Sequence, residues 1–149
     1  MGDKTVYIHY GHDEFRLPKP IVNEAYFTKP KGGLWASRKD GKGTWKTWCE
    51  QEEFRLDSFE SSFEFTLKDN ARVLELSSID QLDNLPKLNQ DNYNKEDRYS
   101  TCYLDFEALR QQYDAIEVTD IACLYWKLYA WDCNSILIMN PGIVEIKEA

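Results

Sequence analysis

Residues 6–11 read Val-Tyr-Ile-His9-Tyr10-Gly11, residues 31–37 read Lys-Gly-Gly33-Leu34-Trp35-Ala-Ser37, and residues 135–144 read Ser-Ile-Leu-Ile-Met-Asn-Pro-Gly-Ile-Val. Each is a short apolar run with a marked boundary. The first ends in histidine and glycine. The second is entered through Gly32-Gly33, whose missing Cβ atoms allow a sharp change of direction and a close backbone approach. The third stops at Asn140-Pro141, where proline removes a ladder donor. Apolar runs of this length between Gly and Pro read as strands, so the sheet is expected to draw on distant parts of the chain.

Working outward, Phe63, Phe65 and Leu67 alternate with Glu64 and Thr66 as a half-buried strand. Residues 72–76 and 115–118 supply two more. Thr44 is expected to cap a helix from Trp45 to Phe54, and Ser78 a brief one stopped by Pro86. Asp105 should cap a helix to Tyr113 with Phe106, Leu109 and Tyr113 on one face. Residues 124–131 read as a short aromatic helix. The segment 12–30, with Pro18, Pro20 and Pro30, is expected to wrap the surface, and the polar run 89–98 to form an exposed loop. Strands and helices interleave without a regular strand–helix–strand repeat. The expected class is therefore α+β, with one domain over residues 1–149.

Composition supports a packed core: 42% of the 149 residues are hydrophobic and 14% aromatic. The formal net charge of −8 repels phosphate backbones, which disfavours nucleic acid as a partner. A basic stretch, Lys29, Lys31, Arg38, Lys39, Lys42 and Lys46, stands against that background, either as a solvated loop or facing a nucleotide diphosphate. No signal core or run of about 20 apolar residues is visible, so the chain is expected to be cytoplasmic, in the producing or a host cell, with no membrane contact and as a monomer. Cys49, Cys102, Cys123 and Cys133 follow no metal-binding spacing and read as reduced, mostly buried thiols; no metal is expected.

The order of the three runs, His-Gly strand, Gly-Leu-aromatic-Ala-Ser strand and acid-led closing strand, resembles the ADP-ribosyltransferase superfamily. It is similar to small bacterial and phage mono-ADP-ribosyltransferases and to the catalytic core of poly-ADP-ribose polymerases. The resemblance implies sheets split around an NAD cleft, with short flanking helices. It also implies NAD as substrate and a toxin- or effector-like transferase acting on a protein or small-molecule acceptor. By that resemblance His9 bonds the ribose, Gly11 grips the carboxamide by its backbone, and Tyr10 intervenes where the family has Gly directly after His. His12 is the alternative histidine. Tyr10, Gly33, Leu34, Trp35 and Ser37 would line the cofactor. Trp45 or Trp48, three apart and hence on one helical face, would stack on nicotinamide.

The resembled family needs a carboxylate near the strand ending in Asn-Pro, to stabilise an oxocarbenium-like transition state. A gap-free placement puts Ser135 at that point. Asp132 is the nearest acid and Glu117, in the preceding strand, the alternative. A chain lacking that acid would be a catalytically inactive NAD-, nucleotide- or protein-binding module on the same fold. The aromatic run Tyr125-Trp126-Lys-Leu-Tyr129-Ala-Trp131 suits either a cofactor wall or a partner-binding surface.

Overall fold

The frame of the protein, seen in a computed structural model, is a seven-stranded mixed sheet. Residues 4–25, 27–41, 43–44, 46, 49–50, 61–88, 94, 96–97, 99–129, 131 and 133–146 are described. The strands are β1 (Tyr7–Tyr10), β2 (Leu34–Arg38), β3 (Ser62–Leu67), β4 (Val73–Leu76), β5 (Ala115–Val118), β6 (Ser135–Ile138) and β7 (Val144–Ile146), in the spatial order β4-β5-β6-β2-β1-β3-β7. Neighbours run antiparallel except β4 and β5. A parallel return needs a long crossover. Residues 77–114 provide it, carrying a 3-10 turn (Ile79–Leu82) and α1 (Phe106–Leu109). A second short helix, α2 (Ile121–Leu124), follows β5. The class is α+β, in one domain with few helices.

The pattern of apolar residues explains the strand positions. β5 and β6 are buried at every residue and lie inside the sheet, as unbroken apolar runs should. On one face Leu76, Ile116, Val118 and Leu137 pack with Phe106 and Leu109 of α1 and with Leu124, Leu128 and Trp131. On the other, Tyr7, Leu34, Ala36, Phe63, Phe65, Ile136 and Ile138 pack with Ile143.

Several elements differ from the sequence expectation. The helix expected over 124–131 is instead α2, begun earlier by Asp120, whose carboxylate accepts from Cys123 N at 3.4 Å. Tyr125 to Tyr129 then form turns. α1 is capped by Asp105, as expected, but closes as a regular helix at Leu109 and runs into a last turn in which Tyr113 N–H donates to the Leu109 carbonyl at 2.8 Å. The helix after Ser78 is a 3-10 turn in which Gln81 Oε1 accepts from Ser77 N and Ser78 N. Residues 144–146 continue past Asn-Pro-Gly as an edge strand. The segment 12–30 does more than wrap: Ile21 is 1% exposed within the core, and Asn23 caps α1 by accepting from Phe106 N at 2.8 Å. The helix expected from Trp45 to Phe54 lies largely outside the described residues. Cys49, Cys102 and Cys133 are buried, Cys123 is exposed, and none of the four forms a disulfide.

Asp114, just before β5, clamps the sheet's ends. It accepts from Arg72 N (2.9 Å), Arg72 Nη2 (3.0 Å) and Asn140 Nδ2 (2.8 Å). The Arg72 guanidinium, first among its partners, holds the Asp114 carboxyl down at about 2. A carboxyl depressed in the fold contributes stability that is present above its ordinary value near 4 and is lost as pH falls through about 2. Because Arg72 is 52% exposed, solvent screening limits this to about 1 kcal/mol. Asp114→Asn should therefore be less stable at pH 7 yet lose about 1 kcal/mol less than the parent between pH 4.5 and 2. Urea midpoints at the two pH values measure it; identical acid slopes for both proteins would contradict it.

Candidate functional site

β1 and β2 pair only at Tyr7–Arg38 and Ile8–Ser37 among the described residues. Beyond Ile8 the strands part. His9 bridges the opening with its side chain, Nδ1 donating to the Trp35 carbonyl at 2.6 Å. A cleft of about 260 Å3 opens there, lined by Ile8, His9, Tyr10, Lys29, Trp35, Ala36, Ser37, Trp131, Cys133 and Ser135. Its walls thus come from three adjacent strands, β1, β2 and the start of β6, and from the turn after α2. The volume lies just under the ~300–1,000 Å3 typical of small-molecule sites, enough for a ring and its sugar.

The lining is chemically mixed. Trp35 and Trp131 meet edge to face with centroids 4.8 Å apart. Trp131 is locked in place by its Nε1–H donating to the Thr28 carbonyl at 2.9 Å. Thr28 hydroxyl in turn donates to the Tyr129 carbonyl. Lys29 Nζ sits 5.2 Å from the Trp35 ring centroid, within cation–π range. Ser37 Oγ donates to the Asn134 carbonyl and Ser135 Oγ to the Cys133 carbonyl, both at 3.3 Å. Burial raises the Tyr10 phenol above its ordinary pKa.

His9 has a defined tautomer. Burial, the leading cause, lowers its pKa, so the ring is neutral near pH 7. A carbonyl only accepts, so the proton is on Nδ1 and Nε2 is the acceptor. Nε2 lies 3.1 Å from Nδ1 of the exposed His12, whose ring stacks on His9 at 5.3 Å. Phe63 packs against His9 from the neighbouring strand at 5.1 Å.

Of the residues singled out from sequence, His9, Tyr10, Trp35 and Ser37 lie together at one cleft. Other expected residues lie elsewhere. Gly11 N–H donates to the Ser61 carbonyl at 2.9 Å, so that donor serves the fold. Leu34 is buried in the core opposite Ile138. Gly33 is not approached by open space: a Cβ there would meet Leu137 Cδ1 at 2.7 Å and Ile21 Cδ1 at 2.8 Å, and its N–H donates to the Lys19 carbonyl. The glycine pair admits the protein's own 19–21 segment.

Glu117 is 3% exposed and does not line this cleft. Arg38 grips it with two hydrogen bonds, Nε at 2.7 Å and Nη2 at 3.0 Å, and Tyr7 donates at 3.0 Å. This network borders a separate cleft of about 200 Å3 with Thr44, Thr119 and Asn134. The expected basic stretch is likewise divided: Arg38 pairs with Glu117, Lys39 with Glu64 and Lys31 with Glu24, while Lys29 reaches the cleft. Trp45, Trp48 and Asp132 lie outside the described residues.

Cys133 and Ser135 join the cleft although the sequence does not mark them as cofactor ligands, and Trp131 joins it as one member of the aromatic run suited to a cofactor wall or a partner surface. The signal available for Ser135 was its position at the head of the strand ending Asn-Pro. Trp131 carried no signal that separated it from its aromatic neighbours. Among the described residues no three His, Cys, Asp or Glu side chains gather as a metal site requires, and no helix is long and apolar enough to cross a membrane. Compared with protein-family models, with curated proteins and with solved structures, the chain finds no match.

Proposed function

We propose that the cleft at the β1–β2 opening binds the nicotinamide–ribose half of NAD, and that the protein is an NAD-dependent mono-ADP-ribosyltransferase acting on a protein or small-molecule acceptor. The observation that carries this reading is the convergence of His9 from β1, Ser37 from β2 and Ser135 from β6 on one cavity. The ADP-ribosyltransferase-like motifs in the sequence single out the same three strands. A neutral His9 with Nε2 as acceptor suits a ribose hydroxyl, which would replace the His12 donor. Trp35 and Trp131 supply aromatic surface for a flat ring, and Lys29 a cation for a phosphate.

The acid is what separates a transferase from a binding module. The cleft lining holds Ser135, not a carboxylate, where the resembled family places its glutamate. Asp132 is the candidate that remains for transfer. That serine favours, as the second reading, an inactive NAD-binding module on the same fold.

The test has two parts. NAD should raise the melting temperature of the parent, and His9→Ala, losing a bond worth about 1 kcal/mol, should bind it roughly five-fold more weakly. Isothermal titration that detects no NAD binding at millimolar concentration would remove the reading altogether. Labelled NAD then decides the chemistry: turnover that survives in parent and disappears in Asp132→Asn, with binding spared, supports transfer. Binding without turnover selects the inactive module.

A further inference from the structure

His9 Nε2 and His12 Nδ1 are 3.1 Å apart, while the two ring centroids are 5.3 Å apart and the planes differ by 15°. The nitrogens lie much closer than the centroids, so the rings touch through those two atoms, in a hydrogen bond. Nδ1 of His9 is already spent on the Trp35 carbonyl at 2.6 Å, which leaves Nε2 as the ring nitrogen that can meet a ligand. His12 holds that nitrogen.

The segment that carries His12 is lightly tied down. Residues 11–14 are exposed, and the backbone of residues 12–18 makes no hydrogen bond to the described residues. Among those residues its fixed points are the Gly11 N–H, on the Ser61 carbonyl at 2.9 Å, and the Phe15 ring, edge-on to Phe63 at 6.0 Å. Gly11 has φ +109°, and a Cβ there would meet nothing within 4 Å. The chain can therefore pivot at Gly11 into open space. Segments with few buried contacts open at low cost.

We propose that His12 is a latch on the cleft: it occupies His9 Nε2, and NAD takes that nitrogen only once His12 has swung out about Gly11. The proposal rests on the NAD reading of the cleft and adds its regulation, since the protein's own side chain competes with the ribose for one acceptor. Such a competitor reduces apparent affinity by the fraction of molecules in which the latch is open. A single hydrogen bond at an exposed position favours the closed form by a factor of about five.

Titration calorimetry of NAD into four proteins tests this: parent, His12→Ala, His9→Ala and the double variant. His12→Ala should bind NAD roughly five-fold more tightly than the parent, because nothing then has to leave Nε2. In the His9→Ala background the same substitution should change nothing, since the acceptor it competes for is gone. A merely structural His12 would not produce that dependence of one substitution on the other. His12→Phe, which keeps a ring at the position but cannot donate, should also tighten binding. His12 is exposed, so every variant of it should keep the circular dichroism of the protein it was made in. Equal affinity in parent and His12→Ala would overturn the latch and leave the NAD reading standing. Tightening that persists in the His9→Ala background, or that alanine gives and phenylalanine does not, would make bulk the obstacle and also overturn it. Absence of binding in both parent and His12→Ala at millimolar NAD would overturn the NAD reading, and the latch with it.

Discussion

Gly32→Ala is expected to destabilise the fold by about 3–5 kcal/mol, a large effect for a single methyl group. Gly32 has φ +80°, and a Cβ there would stand 2.2 Å from the Pro20 carbonyl oxygen and 2.6 Å from that of Lys19. A left-handed alanine costs roughly 1–2 kcal/mol. Forcing extra volume into a packed site adds roughly 1–3 kcal/mol, toward the upper end here because the obstacle is backbone and cannot rotate aside. Relief would require moving the segment that seats Ile21 in the core and leads to Asn23 at the start of α1. For a domain of this size the melting temperature should fall on the order of 10 °C. Gly142→Ala is the control, since a Cβ there meets nothing within 4 Å, and it should change the midpoint little. A Gly32→Ala protein with the parent's denaturation midpoint would refute the packing described for residues 19–21.

Lys127→Met should cost about 2–4 kcal/mol. The substitution keeps an unbranched side chain of similar length, with sulfur in place of Cδ, and removes the ammonium. Its acceptors, the carbonyls of Asn94 and Asp97 and the hydroxyl of Ser100, would then face a methyl group. Hydrogen bonds to a charged donor contribute more than neutral ones, and a buried acceptor without a partner is penalised. Part of that loss is recovered because Asn94 and Asp97 are exposed and can turn their carbonyls to water. The expected sign is a lower urea midpoint together with faster proteolysis within residues 89–100. Arginine should not restore the parent's behaviour, because a planar fork cannot occupy a cage shaped for a compact ammonium. If Lys127→Met matched the parent in both measurements, the ammonium would not be what holds the segment.

Local chemistry made much of the architecture readable in advance. Alternation in residues 63–67, the unbroken apolar runs at 115–118 and 135–138 and the Asp105 cap are all short-range signals. They appear as β3, β5, β6 and the start of α1. His9, Tyr10, Trp35 and Ser37 line one cleft, and each sits near the end of a recognisable strand. The α2 start was missed because the aromatic run 125–131 outweighed the weaker Asp120 cap, although the cap decides where the first turn closes. β7 was missed because three residues after a proline carry too little pattern to be distinguished from a tail.

What the sequence by itself determined is therefore the strands, their buried faces and the class. The rest was decided by contacts between segments far apart in the chain. Whether Gly32-Gly33 admits a ligand or the protein's own backbone depends on where residues 19–21 run, some dozen positions away. Glu117 lies within β5 and Asp114 immediately precedes it. One is sealed against Arg38 and Tyr7 and the other clamps Arg72, an outcome fixed by sheet order and not by either residue's neighbours. The cleft exists because the β1–β2 ladder stops after Ile8 and His9 takes the Trp35 carbonyl instead. Strand propensity is local, but where a ladder ends depends on the packing of both faces, and that is a property of the assembled sheet alone.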